Sequence, residues 1–99
     1  MKKKKVTNKV EYKKLPKEIH GETYNSGRIV INKNLSPVQQ KIALSHEKTH
    51  RQQIKDGRLW YDTDYVYWNG KKYSRKNMKE GAKHYGWEAE AYKKQIKKA

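Results

Sequence analysis

The chain contains no cysteine among its 99 residues. This absence excludes disulfide bonds, thiolate zinc sites, iron–sulfur clusters and cysteine nucleophiles. Phenylalanine is also absent, and valine, isoleucine and leucine together number only 15. So few large aliphatic side chains, with a net charge of +15, approach the composition of disordered proteins. A folded domain must therefore draw much of its core from other side chains.

Aromatic residues can supply that core, since the chain has 8 tyrosines and 3 tryptophans. Such side chains bury a large area each and can replace an aliphatic core. The length suits one domain. We predict a basic flexible tail over residues 1–5 and a single domain over residues 6–99. Its thin aromatic core would gain stability from a bound metal ion.

Acidic residues are scarce, with 10 Asp and Glu against 25 Lys and Arg. The excess of positive charge favours acidic partners such as nucleic acid, an anionic membrane surface or an acidic protein. Long apolar runs are absent too, so no membrane span is predicted. Residues 1–5 are basic like the start of a signal peptide, but residues 6–11 are not apolar. We therefore expect a cytoplasmic protein.

The order of predicted elements is that of an α+β domain. Alternation predicts a strand within residues 6–14, and β-branched residues predict another over residues 28–32. Residues 58–76 are predicted to form an aromatic hairpin, because Asn69-Gly70 favours a tight turn between two strands. Composition predicts a C-terminal helix from about residue 87 to residue 98.

A central helix is predicted to begin after Ser36, which is followed by Pro37 and by Gln39 in a capping box, and to end near Asp56. It carries His46-Glu47-Lys48-Thr49-His50, which matches the H-E-x-x-H motif. Two histidines four residues apart on a helix can bind the same metal ion, and Glu47 can act on a water at that metal.

A catalytic zinc ion of this kind needs a third protein ligand. The predicted C-terminal helix offers Glu88, because the small Ala91 three residues later would let the helix approach the two histidines. Glu90 and His84 could take its place, and His20 is a further candidate. An error of one residue in the predicted phase of this helix would exchange the roles of the two glutamates.

These motifs resemble the gluzincin zinc metallopeptidases, in which H-E-x-x-H is followed by a helix carrying E-x-x-A. The likeness to minigluzincins and ImmA/IrrE-type peptidases spans about residues 21–92, and Gln53 also resembles small H-E-x-x-H-x-x-Q domains. The resemblance implies that one zinc ion per chain is bound by His46, His50 and Glu88, with Glu47 as the general base. The chain departs from many gluzincins at Tyr92, where they have Asp or Asn.

Further residues are candidates for substrate contacts. His84, Tyr85 and Tyr73 could donate hydrogen bonds to an oxyanion. The family resemblance also implies that a peptide substrate pairs with an edge strand, here Ile29-Val30-Ile31. Each of these residues could equally serve in packing.

Lysine and arginine near aromatic side chains suggest a different partner. Trp60, Tyr61, Trp68 and Tyr73 lie close in sequence to such cations and could stack on single-stranded nucleic acid. The sequence thus predicts a zinc metallopeptidase acting on a peptide or protein, with two competing hypotheses. One is a basic nucleic-acid-binding protein with a structural zinc site or none. The second is a catalytically silent zinc-binding pseudopeptidase.

Overall fold

The computed structural model describes residues 5–79 and 81–95. Residues 1–4 of the predicted tail and residues 96–98 of the predicted last helix lie outside this range. The domain is α+β, as predicted, with strands before a central helix and a second helix at the C-terminal end. In chain order the elements are β1 (Val10–Lys13), β2 (Gly21–Thr23), β3 (Ile29–Asn32), α1 (Pro37–Lys55), β4 (Leu59–Tyr61), β5 (Tyr65–Trp68), β6 (Lys71–Ser74) and α2 (Gly86–Lys94).

The first sheet has the strand order β1-β3-β2, with β1 parallel and β2 antiparallel to β3. Ile29 and Ile31 are fully buried and form a core cluster with Ala43 of α1. The edge-strand role predicted for Ile29, Val30 and Ile31 is wrong, because β3 has a partner on both sides. The edge strand that contacts α1 is β2.

The predicted aromatic hairpin is a three-stranded antiparallel sheet with the order β4-β5-β6. The single long strand predicted before the turn is interrupted at Asp62, whose Oδ1 accepts hydrogen bonds from the N–H groups of Asp64 and Tyr65. This side-chain turn divides it into β4 and β5. The turn between β5 and β6 is as predicted, with positive φ at Asn69 and Gly70.

The second sheet contributes to an aromatic-rich core beneath the two helices. Ile54, Leu59, Val66 and Trp87 are its buried residues, and the partly buried Trp68, Tyr73 and Tyr85 pack against them. The helix α2 has nine residues and no side-chain cap at its start, so it depends on this packing for stability. Its first residue, Gly86, lies against the indole of Trp68, where a Cβ would collide with the ring.

The helix α1 begins and ends as predicted. At its start, Ser36 Oγ accepts a hydrogen bond from the N–H of Gln39, and the Gln39 side chain accepts one from the N–H of Ser36. At its end, Asp56 is the C-cap residue. Ala43 of this helix packs in the core cluster of the first sheet, and Ile54 packs in the aromatic-rich core. Over residues 5–79 and 81–95, no helix is both long and apolar enough to cross a membrane.

Candidate metal centre

Three side chains from α1 and α2 converge on one point. His46 and His50 lie one turn apart on α1, and Glu88 lies in the first turn of α2. Glu88 Oε1 is 3.0 Å from His46 Nε2 and 3.1 Å from His50 Nε2. One ligand atom from each residue lies within 4.8 Å of the others, so the group could hold a metal ion. This is the set of three predicted from the motif and the C-terminal helix.

A fully buried glutamine fixes the orientation of His50. His50 Nδ1 donates a hydrogen bond to Gln53 Oε1 over 2.9 Å. Gln53 Nε2 donates to the carbonyl oxygen of Trp87 and to Glu90 Oε1, each over 3.0 Å. These two acceptors determine which end of the amide faces the histidine. The proton of neutral His50 therefore lies on Nδ1, and Nε2 points towards Glu88 with a lone pair.

Glu90, which competes with Glu88 in sequence as the third ligand, is one step removed from the site. It accepts two hydrogen bonds from Arg58, each over 3.0 Å, besides the one from Gln53. The remaining candidates for the third ligand, His84 and His20, are exposed. Neither belongs to the group that could bind a metal. Glu90 thus positions Gln53, and through it His50.

His46 is held in a similar way by the C-terminal end of α2. Its Nδ1 donates to Gln95 Oε1 over 2.8 Å, which leaves Nε2 to face Glu88. The ring of Tyr92 packs edge-on against His46, with 4.6 Å between the ring centroids. Tyr92 is the residue at which the chain departs from the gluzincin pattern. Here the Tyr92 ring packs against the ring of His46, and Gln95 orients the His46 ring through its hydrogen bond.

The donor set fits a metal ion. With both Nδ1 atoms engaged by glutamines, two imidazole lone pairs each lie within hydrogen-bond distance of the same carboxylate oxygen. Without a cation or a proton between them, these three atoms would repel one another. Histidines oriented through Nδ1, with a carboxylate beside them, are a common arrangement of metal ligands.

In the metal-free chain, the pKa values of Glu88 and His50 are shifted from their ordinary values. Burial raises the pKa of Glu88, but the hydrogen bonds from both histidines and their charges outweigh burial and lower it to about 2. For His50, burial lowers the pKa, and the hydrogen bond and charge of Glu88 outweigh it, so the net shift is upward. The ionised Glu88–His50 pair is therefore favoured over the neutral one.

This pair predicts a pH-dependent stability of the metal-free protein. Glu88 stabilises the fold above its ordinary pKa of 4.5, and that contribution is lost as the pH falls towards 2, by up to about 3 kcal/mol. His50 stabilises it fully below its ordinary pKa of 6.5, and loses this effect as the pH rises through its raised folded value. Denaturant unfolding in chelator should show both losses, and Glu88→Gln should flatten them. Equal pH dependence in the variant would contradict this assignment.

Glu47 lies beside the three candidate ligands but is held by a different residue. It is 8 % exposed, and Thr23 Oγ1 of β2 is 2.7 Å from its Oε1. A Cβ at Gly21 would come within 3.0 Å of Glu47 Cγ, so β2 can approach the carboxylate closely because this residue is glycine. Burial raises the pKa of Glu47 despite the opposing effects of His50 and Thr23. The carboxylate is thus more basic than an exposed glutamate.

The three candidate ligands and Glu47 line an open cavity of about 970 Å³ between β2 and the two helices. The predicted oxyanion contacts His84 and Tyr85 do not line it. Tyr85 instead stacks on the core residue Trp87, with 4.8 Å between the ring centroids. The residues that do line the cavity and carry hydrogen-bond donors include Tyr24, Tyr61, Arg75 and Tyr92.

Sequence reasoning did not identify the roles of Thr23 and Gln95. Gln53 could be noticed because it follows His50 by three residues and shares its helix face. The contact of Gln95 with His46 depends on how α2 crosses α1, and that of Thr23 with Glu47 depends on how β2 meets α1.

No protein-family model, curated protein or solved structure matches the chain in comparisons with known proteins.

Proposed function

We propose that the protein is a zinc-dependent peptidase of the minimal gluzincin type, which hydrolyses peptide bonds in a peptide or protein substrate. The observation that carries the proposal is the buried Glu47 beside His46, His50 and Glu88 on the wall of one open cavity. A purely structural metal site has no need of a buried carboxylate that is not itself among the ligands. A general base is required when water attacks a carbonyl.

Zinc is the metal that this donor set favours. Two imidazole nitrogens and one carboxylate oxygen are the ligands of one large class of catalytic zinc sites. Structural zinc sites usually fill all four positions with protein ligands. Among the described residues the group has three members, which leaves a position for water or substrate at the cavity.

Each residue then has a defined part in hydrolysis. His46, His50 and Glu88 would hold the zinc ion, and Glu47 would accept a proton from the attacking water and pass it to the leaving amine. Bound zinc supplies a water of lowered pKa and polarises the scissile carbonyl. Thr23 limits rotation of the Glu47 carboxylate, because its hydroxyl lies within hydrogen-bond distance of Oε1.

The edge strand β2 could bind an extended peptide substrate. The carbonyl oxygen of His20 accepts a hydrogen bond from Asn32 of β3, and the N–H of Tyr24 donates to Arg28, the residue before β3. Backbone groups alternate in direction along a strand, so the N–H and C=O groups of Gly21 and Thr23 point away from β3. Both residues line the cavity. A substrate strand could pair with this edge through main-chain hydrogen bonds and would lie beside Glu47.

A degenerate peptide library tests the proposal. We expect the zinc-loaded protein to generate new peptide termini that mass spectrometry detects, with activity lost on chelation and restored by added zinc. His46→Ala, purified in the same way, serves as the control for a contaminating protease. A zinc-bound protein that cleaves neither the library nor unfolded proteins would contradict the proposal and favour a pseudopeptidase.

A further inference from the structure

The second sheet has an outer face that is distinct from the metal site. Trp60 of β4, Tyr67 of β5 and Lys72 of β6 are direct cross-strand partners and therefore project from the same side. Tyr65 and Ser74 form the next row on this side. The opposite side carries the fully buried Val66 and packs into the core. We call Trp60, Tyr65, Tyr67, Lys72 and Ser74 the outer face.

The outer face combines aromatic surface with positive charge. Trp60 is 36 % exposed and is one of the exposed large hydrophobic residues. The rings of Tyr65 and Tyr67 are partly exposed, with 6.3 Å between their centroids. Lys72 Nζ lies 4.0 Å from the centroid of the Tyr65 ring. The exposed Lys76 lies just beyond the end of β6.

The structure changes which aromatic residues are available for stacking. Trp68 and Tyr73 have ring contacts with the core residue Trp87, and Tyr61 lines the cavity. Of the four residues suggested by sequence, Trp60 alone belongs to the outer face. Tyr65 and Tyr67 join it there because the strand registry brings them to the same side.

We infer that the outer face binds single-stranded nucleic acid. Aromatic residues on an open sheet surface stack on unpaired bases, and neighbouring lysines contact the phosphates. The net charge of +15 complements such a polyanion. The acidic residues on this sheet, Asp62 and Asp64, lie at the β4–β5 turn, where Asp62 Oδ2 accepts a hydrogen bond from the Tyr67 hydroxyl. The end of β6 meets this turn, since the N–H of Arg75 donates to the carbonyl oxygen of Asp64. The phosphates would therefore contact Lys72, before that end of the strand.

Binding of fluorescein-labelled oligonucleotides tests the inference independently of zinc and peptidase activity. We expect the protein to bind oligo(dT) or oligo(rU) of roughly 15 nucleotides in about 0.15 M salt, more tightly than a duplex of the same length. Stacking predicts that Trp60→Ala weakens binding by about tenfold or more and that Trp60→Phe largely retains it. Comparison of the two oligonucleotides distinguishes DNA from RNA as the preferred strand.

Matched variants separate the outer face from general charge attraction. Tyr12 is a more exposed aromatic residue on the first sheet, at 50 %, so Tyr12→Ala should leave the affinity unchanged. Lys72→Ala should reduce the slope of log affinity against log salt by about 0.7, whereas Lys41→Ala on α1 should not. Equal losses in Trp60→Ala and Tyr12→Ala would overturn the inference. So would the absence of binding, or equal competition by a glutamate polymer of the same charge.

Discussion

Replacing Glu47 with glutamine is expected to reduce peptide hydrolysis by about a hundredfold to ten-thousandfold while zinc remains bound. Glutamine has the same shape, and its amide oxygen can still accept the hydrogen bond from Thr23, but it cannot take a proton from water. The ligands His46, His50 and Glu88 are unchanged in this variant. The measurements are the rate of cleavage of a library-derived peptide and the zinc content of the same sample.

A second glutamate of the cavity serves as the control for this substitution. Glu18 lines the cavity but is exposed and lies outside the metal group. Glu18→Gln removes the same charge and should leave the rate near that of the wild type. Unchanged cleavage in Glu47→Gln would remove this residue from the mechanism. Loss of zinc in Glu47→Gln would instead show that Glu47 is needed to build the site.

The second large effect concerns two glutamates on the same helix. Glu90→Ala is expected to weaken zinc binding by about tenfold to hundredfold, which is the loss typical of a residue that only orients a ligand. Glu88→Ala is expected to weaken zinc binding by more than this. Glu88 provides an oxygen at the point where the histidine nitrogens converge. Glu90 acts through Gln53, which could turn away from His50 once its acceptor is removed.

Competition with a chelator of known zinc affinity measures both variants on one scale. The two substitutions remove the same charge from α2, so electrostatic effects on the whole chain largely cancel in the comparison. Circular dichroism verifies that both variants fold, since Glu90→Ala also removes the ion pair between Arg58 and Glu90. The reverse order of zinc affinities would make Glu90 the ligand.

Most of the site could be predicted because its information is local. The spacing of His46 and His50 fixes their common face once the segment is helical, and the capping box at Ser36 marks where that helix begins. Predicting Glu88 needed a further assumption, that α2 approaches α1 closely near Ala91. Ala91 is fully buried, which agrees with a close approach of the two helices.

The residues that orient the ligands were harder to predict because their contacts are long-range. Gln95 meets a histidine 49 residues earlier in the chain, and Thr23 meets Glu47 across 24 residues. Neither spacing follows a helix or strand period. The edge-strand error has the same origin, since the hydrophobicity of Ile29-Val30-Ile31 indicates a strand but does not show how many neighbours it has. Its full burial is what a central strand requires.

The most direct test of the account is the zinc content of the untagged protein. After zinc loading and desalting, elemental analysis should find about one zinc ion per chain, and His46→Ala prepared in parallel should retain little. Such a result would establish the centre on which the proposed hydrolysis depends. Folded wild-type protein that retains no zinc, or His46→Ala that retains as much as the wild type, would contradict the account.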